Sequence, residues 1–165
     1  MDRNTRRTGP GTDGKPIPFV RSPFDETQGQ FSPDGRYVAY TSNESKRADV
    51  YIQPFPTTGR RWQVSSGGGS QPRWRRDGKE LFYVAPGGVL MAVPIVSSGV
   101  GLEVGAPISL FEHRVLAADN PIDNVYSYDV TADGQRFLLA VPKPGSEVPP
   151  ITVLVNWAAG LKRDN

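Results

Sequence analysis

The chain has no cysteine and only one histidine among its 165 residues. Disulfide bonds and thiolate metal sites are therefore excluded, and zinc lacks a ligand set because it needs several Cys or His side chains. A Ser-His-Asp triad would have to use His113, which lies in a polar segment and is expected to be exposed to solvent. We therefore expect no metal site and no cofactor.

An excess of charge of one sign is also missing. The chain carries 19 Lys and Arg against 17 Asp and Glu, a formal net charge of +2, so its charge gives no support for a polyanion partner. The segment Arg73–Lys79 combines a tryptophan with four cations, as single-strand nucleic-acid sites do, but the repeat alignment below predicts that Trp74 belongs to the core. No apolar stretch approaches the roughly 20 residues of a membrane span. We expect neither nucleic-acid binding nor a membrane span.

Motifs of catalysis are missing as well. There is no nucleotide loop with a Val-Ala-x-Lys strand, no His-Arg-Asp loop and no Asp-Phe-Gly, so the parts needed for phosphoryl transfer are lacking. Residues 9–15, GPGTDGK, match the spacing of a phosphate-binding loop, but Pro16 stands where a Ser or Thr is required. Residues 67–70, GGGS, fail as a nucleophile elbow because Pro72 replaces its second glycine. We expect no enzymatic activity, and a kinase activity would belong to a separate N-terminal domain.

Turn-forming residues, by contrast, are abundant, with 18 Gly and 16 Pro, which favours short strands over long helices. Three segments share one pattern, in which two hydrophobic runs flank an Asp-Gly turn: QGQFSPDGRYVAY from Gln28, QPRWRRDGKELFY from Gln71 and SYDVTADGQRFLL from Ser127. When the three turns are aligned, Phe31, Trp74 and Val130 share one position and are predicted to be core. Asp34, Asp77 and Asp133 share another, where turn geometry explains them without catalysis. An internal repeat of this kind predicts stacked β units.

The repeat divides the chain into segments. Residues 1–14 are polar and Gly/Pro-punctuated, and we expect a disordered tail. Lys15–Val20 is predicted as an edge strand, because its two prolines remove ladder donors. Four-stranded units are predicted at about 28–65, 71–112 and 126–157, within one domain over 15–162, although the third unit shows only three strands. Residues 113–124 form a polar connection that we expect to be mobile.

The motif Phe31-Ser32-Pro33-Asp34-Gly35, with its degenerate copies at Trp74 and Val130, resembles the β-propeller repeat of the TolB-like and WD40-like (PD40) type. The runs GKPIPFVRSPFDETQGQFSPDGRYVAYTSNES, GGGSQPRWRRDGKELFYVA and ITVLVNWAAGLK also resemble the C-terminal propeller of bacterial membrane-anchored serine/threonine kinases. This resemblance implies an all-β fold, a partial β-propeller of about three four-stranded antiparallel blades. It further implies a non-catalytic sensor or interaction module.

Two alternatives remain for the function: an accessory propeller of a prolyl-oligopeptidase-like hydrolase, and a gene fragment without independent function. Since about three blades cannot close a ring, we expect either a fragment of a longer product or a homodimer that completes the ring. We expect a cytoplasmic location if the chain is complete and a periplasmic one if it is the end of a membrane-anchored protein.

The predicted binding residues follow from the same resemblance, because the first strand of each propeller blade is innermost and lines the channel. We expect a protein or a small ligand to bind at the channel mouth. The polar residues predicted to meet it are Glu26, Gln28, Gln30, Gln71, Arg73 and Asp129.

Overall fold

The computed structural model of the protein describes residues 16–99, 101–112 and 126–140, together with the strand backbone of 151–155. This part of the chain contains twelve β-strands and one short 3₁₀ turn, Pro86–Gly88, and no α-helix. Among the described residues no helix is long and apolar enough to cross a membrane. The all-β prediction is confirmed.

The first sheet is an antiparallel meander, in which each strand pairs with the next one along the chain. Its Tyr- and Val-rich second and third strands are almost entirely buried, which is where β-branched and aromatic side chains pack best. The four strands are β1 (Glu26–Phe31), β2 (Tyr37–Ser42), β3 (Asp49–Pro54) and β4 (Trp62–Gln63).

The three Asp-Gly turns have the same geometry, and this confirms that they are turn structure. In each turn the glycine N–H donates to the carbonyl three residues earlier, at 2.8, 2.9 and 2.8 Å. Each aspartate Oδ1 accepts the N–H two residues later, at 3.1, 3.0 and 3.0 Å. The glycines lie in the left-handed region, with φ of 71°, 73° and 73°, which a side chain would strain. The residues concerned are Asp34-Gly35, Asp77-Gly78 and Asp133-Gly134.

The second sheet has five strands, which corrects the predicted four. The long strand β7 (Val89–Ser98) continues through Pro94. Its first half pairs with β9 (Ile108–Glu112), and its second half, from Ile95, pairs with β8 (Gly101–Val104), a strand that the sequence pattern did not predict. The Pro94 carbonyl accepts the Gly105 N–H at 2.8 Å, so the proline, which lacks a donor of its own, still contributes an acceptor at this point. The strands are β5 (Ser70–Trp74), β6 (Glu80–Ala85), β7 (Val89–Ser98), β8 (Gly101–Val104) and β9 (Ile108–Glu112).

The third sheet consists, within the described residues, of three antiparallel strands. They are β10 (Tyr128–Val130), β11 (Arg136–Ala140) and β12 (Ile151–Val155). The predicted tail at 1–14, the connection at 113–124 and the end of the predicted domain at 156–162 lie outside the described residues. The predicted domain boundaries therefore stay predictions.

The predicted edge strand at Lys15–Val20 is wrong over its described part, because residues 16–20 form no strand. Pro16 and Pro18 cannot donate to a ladder. The segment is instead attached to the first sheet by a side chain. The Phe19 ring lies 6.3 Å from the Tyr40 ring and 6.0 Å from the Phe55 ring.

Two hydrophobic cores join the three sheets, one on each face of the second sheet. Because side chains alternate along a strand, Leu81 and Tyr83 of β6 pack into the core shared with the first sheet. Phe82 and Val84 of the same strand pack into the core shared with the third sheet, where the Phe82 ring lies 5.1 Å from that of Phe137. The second sheet is thus enclosed by its two neighbours.

The inner edges of the sheets converge, although their outer strands do not. The Tyr126 hydroxyl, just before β10 of the third sheet, donates to the Gln28 carbonyl of β1 in the first sheet at 2.7 Å. Three consecutive antiparallel sheets, packed face to face and meeting at their first strands, are the arrangement of propeller blades. The fold is a partial β-propeller.

The apolar surface at the two ends of the array is partly uncovered. Phe31 is 57% exposed and touches Phe55, and Leu138 of the third sheet is 42% exposed. This corrects the prediction of Phe31 as core. Its counterparts Trp74 and Val130 are partly buried because the neighbouring sheet packs against them, whereas Phe31 faces away from the second sheet.

Candidate binding surface at the inner strands

Five of the six predicted site residues fall into two rows that cross the sheets at their inner edge. Gln28 and Gln71 belong to one row with Ser127, and Gln30, Arg73 and Asp129 form the other, each member being taken from the same position of successive repeats. The sixth, Glu26, begins β1 and accepts a hydrogen bond from the Ser22 hydroxyl.

The first row is a buried relay of side-chain to backbone hydrogen bonds. Gln28 Oε1 accepts the N–H of Gln71 at 2.7 Å, and Gln71 Oε1 accepts the N–H of Ser127 at 2.7 Å and its hydroxyl at 2.8 Å. Gln28 is 4% exposed and Gln71 fully buried. Both glutamines join adjacent sheets, and Gln28 also borders a surface groove along β1. Their predicted place at the channel stays a prediction.

A β-bulge makes this relay possible. The pairing of β1 with β2 shifts between Thr27 and Gln30, and the pairing of β5 with β6 shifts between Ser70 and Arg73, so each first strand carries one extra residue. Gln28 and Gln71 occupy the bulges with φ of 57° and 61°, a region that costs a non-glycine residue about 1 kcal/mol or more. The strained backbone frees the Gln71 N–H to bond the neighbouring sheet.

The second row is open to solvent and carries charge. Arg73 Nη1 lies 3.4 Å from Gln30 Oε1, and Arg73 Nε lies 3.8 Å from Asp129 Oδ1. The side chain of Arg73 is 25% exposed and that of Asp129 is 64% exposed. The row thus runs from a neutral amide through a cation to a carboxylate across the three sheets.

Tyr126 supports this row, and sequence reasoning missed it. The Arg73 guanidinium carbon lies 3.8 Å from the centre of the Tyr126 ring, a stacked cation–π contact. Burial raises the pKa of Tyr126, and the Arg73 cation offsets only part of that rise, so the phenol is neutral at pH 7. Tyr126 precedes the aligned repeat segment, and only its position beside a predicted inner strand could have indicated it.

Two surface clefts flank the inner strands. A groove of about 650 Å³ runs along β1, and its wall includes Gln30 and Tyr126 together with the apolar side chains of Phe19, Val38 and Tyr40. A second cleft of about 380 Å³ lies between the Asp-Gly turns of the first two sheets, with Trp74 and Lys79 in its lining. The groove along β1 therefore includes Gln30 of the second, open row and Tyr126, which supports that row.

The described chain offers little for catalysis. No group of three or more His, Cys, Asp or Glu residues that could hold a metal occurs in the part of the chain that the structure covers. His113 lies outside the described residues. In the cation-rich segment Arg73–Lys79, the Trp74 indole N–H donates to the Gln30 carbonyl at 3.2 Å, and Arg75 is paired with Asp77 and Glu80. These side chains are occupied by internal contacts.

Asp49 is a further polar residue that the sequence analysis did not single out. It is fully buried at the start of β3, where Oδ1 accepts the Ser65 hydroxyl at 2.8 Å and the Gly68 N–H at 2.9 Å. Its Oδ2 accepts the Ser45 hydroxyl at 2.6 Å and Arg47 Nε at 3.2 Å. Because its carboxylate bonds both the loop before β3 and the loop after β4, Asp49 is a structural residue.

Comparison with known proteins gives a short sequence similarity and two structural likenesses, and no family model matches the chain. The chain is 39% identical over 66 residues to the Tol-Pal system protein TolB of Pseudomonas aeruginosa, a stretch covering 38% of this chain and 15% of that protein. This similarity agrees with the TolB-like character of the repeat. The link to kinase propellers stays a prediction.

The two solved structures extend over more of the chain. Acinetobacter baumannii TolB has a TM-score of 0.40 at 18% identity, covering 84% of this chain and 43% of that one. A putative 6-phosphogluconolactonase from Bacteroides uniformis has a TM-score of 0.45 at 12% identity, covering 82% and 42%. The chain spans less than half of each. Because both scores are low, the propeller assignment rests on strand order and sheet packing.

Proposed function

We propose that the chain is a non-catalytic propeller module that binds a protein or a small ligand through the open row at its inner edge. The observation that carries this proposal is the convergence of Gln30, Arg73 and Asp129 from three separate sheets onto one polar surface. Rigid scaffolds that present such side chains at a channel mouth are suited to recognition. The similarity to TolB supports a binding module of this kind.

A catalytic role has less support. The open row holds one carboxylate, Asp129, which lies beside the Arg73 cation and is largely exposed. The putative lactonase is only 12% identical to this chain. We expect no hydrolysis of lactones, esters or peptides.

A narrower form of the proposal makes the module the sensor part of a bacterial serine/threonine kinase-type protein. It is supported by the resemblance of the runs around Phe31 and Trp74 to kinase-linked propellers. The alternatives are an accessory propeller of a prolyl-oligopeptidase-like hydrolase and a fragment without function of its own. The neighbouring DNA distinguishes the first two possibilities. A kinase and a membrane span encoded upstream would support the sensor, and a hydrolase encoded downstream would support the accessory propeller.

A second copy of the chain is the proposed partner for the end faces. Phe31 and Leu138 lie on faces of the first and third sheets that point away from the second sheet, and both are exposed. A blade left uncovered presents apolar surface to water, and a head-to-tail pair would cover both faces at once.

The experiment for the binding proposal compares two edges of the same molecule. Purified protein is used to capture partners from the source organism, and each partner is then purified and titrated against an inner-edge variant, Gln30→Ala with Arg73→Gln, and an outer-edge control, Glu103→Ala. We expect binding that the control retains and the inner-edge variant loses. Equal binding by both variants, or turnover of a substrate, would contradict the proposal.

A further inference from the structure

We propose that Arg73 is a carboxylate-binding residue, and that it takes a peptide carboxylate flanked by an apolar side chain. This inference rests on the proposed binding function and names the chemistry of the ligand at the inner edge. It depends on three features of the described residues: unused donors on Arg73, a rigid guanidinium and a groove with an apolar part beside it.

The donors of Arg73 are only partly used. Its Nε is buried and has no hydrogen-bond acceptor within the described chain, and Nη1 makes a single long contact of 3.4 Å to Gln30. A guanidinium has five N–H donors in a fixed fork, which matches the two oxygens of a carboxylate. Arg73 therefore has donors left for a ligand that supplies two acceptors.

The guanidinium is also held in place before any ligand arrives. Its carbon lies 3.8 Å from the centre of the Tyr126 ring, and the Tyr126 hydroxyl is anchored on the Gln28 carbonyl at 2.7 Å. Stacking against an anchored ring fixes the plane of the fork. Because Nε is buried, a ligand would meet the Nη1 and Nη2 end of the fork. Preorganisation of this kind reduces the entropy cost of binding.

The nearby Asp129 does not satisfy Arg73. Its Oδ1 stands 3.8 Å from Arg73 Nε, beyond hydrogen-bond distance, and the same oxygen accepts the N–H of Val130 at 2.9 Å. Asp129 is a weak internal competitor for the site, since exposed ion pairs contribute little. A ligand carboxylate would make the shorter, bidentate contact that Asp129 lacks.

The groove beside Arg73 explains the apolar part of the ligand. Two of its wall residues, Gln30 and Tyr126, are the two that contact the guanidinium. The rest of the wall is mixed: Phe19, Val20 and Val38 form its apolar part, Thr27 and Gln28 are polar, and Glu26 is its one charged residue. An apolar side chain next to the carboxylate fits this groove, whereas a second acidic group would meet Glu26.

The experiment uses three short peptides as probes with the full chain. They are acetyl-Gly-Leu-Phe with a free C-terminal carboxylate, the same peptide as its C-terminal amide, and acetyl-Leu-Glu-Phe amide, in which a side chain supplies the carboxylate. Binding is followed by NMR from the Arg Nε–H resonances. We expect one or both carboxylate peptides to bind at least about tenfold more tightly than the neutral amide, and the stronger of the two identifies the carboxylate source.

Variants separate recognition from a structural role. Arg73→Gln should weaken binding of the carboxylate peptide about tenfold or more. Asp129→Asn should strengthen that binding by removing the competing charge, and the exposed Arg136→Gln should leave it unchanged. Equal binding of the carboxylate and amide peptides, or binding unaffected by Arg73→Gln, would overturn the inference. If Arg73→Gln fails to fold, Asp129→Asn still tests the inference. Unchanged or weaker binding of the carboxylate peptide by that variant would contradict the inference.

These outcomes are distinct from failure of the proposed function. A captured partner that depends on Gln30 but not on Arg73 would refute the carboxylate site alone. Absence of any partner at the inner edge would refute the binding function itself.

Discussion

Gln28 and Gln71 occupy the same position in successive repeats, and the side-chain oxygen of the first accepts the backbone N–H of the second at 2.7 Å. Gln71 repeats the contact with Ser127 of the third sheet. One side chain per repeat therefore sets the spacing of adjacent sheets at their inner edge. Because both glutamines are buried, losing one leaves an amide N–H without an acceptor, which is expensive.

The relay gives a first prediction. Gln71→Leu should lower the free energy of unfolding by about 1–3 kcal/mol, the cost of leaving the Ser127 N–H unsatisfied. Denaturant unfolding measures this loss, and amide hydrogen exchange at Ser127 should speed up. The exposed Gln135→Leu is the control and should change little. Unaltered exchange at Ser127 in the Gln71 variant would show that the relay does not join the sheets.

The glycine triplet Gly67–Gly69 provides a second prediction with an internal control. A Cβ on Gly69 would lie 2.8 Å from both Ser65 Oγ and Tyr83 Cδ2, whereas a Cβ on Gly67 would meet nothing within 4 Å. Gly69→Ala should therefore destabilise the protein by about 1–3 kcal/mol through overpacking, and Gly67→Ala should not. Thermal unfolding of the two variants side by side tests this, and equal melting temperatures would contradict the packing described.

Acid sensitivity gives a third prediction. Hydrogen bonds from Arg75 are the main cause that lowers the pKa of Asp77 to about 2. A carboxylate with a lowered folded-state pKa stabilises the fold above its unfolded pKa of about 3.9 and loses that effect as the pH falls towards 2. Stability should thus decline between about pH 4 and pH 2, and Arg75→Gln should reduce the decline. Identical pH profiles for both proteins would refute the pairing.

The uncovered end faces lead to a fourth prediction, the association of two copies. Sedimentation equilibrium should give a mass of twice the 18.0 kDa of one chain. Phe31→Lys or Leu138→Lys should shift the protein towards monomer, whereas Val96→Lys, at a side chain that is also 57% exposed but lies in the middle sheet, should not. A stable 18.0 kDa monomer for the wild type would contradict ring completion by a second copy.

The sequence predicted the strands of the first sheet and the three turns closely, because an Asp-Gly pair between two apolar runs strongly favours a turn between two strands. It missed β8, which pairs with β7 just after Pro94, and it wrongly predicted a strand at residues 15–20, so proline has opposite outcomes at the two places. In β7 the chain continues through Pro94 into the pairing with β8, while the prolines at 16 and 18 belong to no ladder. Which outcome occurs depends on neighbouring strands that local sequence does not specify.

The candidate site was predicted in part. Alignment of the repeats placed Gln30, Arg73 and Asp129 together, and the structure brings them into one row. It could not separate them from Gln28 and Gln71, because the bulge that turns those two side chains inward needs a positive φ, which glutamine does not signal. Tyr126, which stacks on Arg73 of this row, lies 98 positions along the chain from Gln28, whose carbonyl accepts its hydroxyl. Only tertiary folding creates this contact.

The most direct test of the binding function is photo-crosslinking of a purified partner to two positions of the same molecule. A benzophenone amino acid is placed at residue 30, on the inner edge, and at residue 103, on the exposed outer strand β8. The account predicts a crosslinked product from position 30 and none from position 103. A product from position 103 alone, or equal products from both, would contradict an inner-edge binding surface.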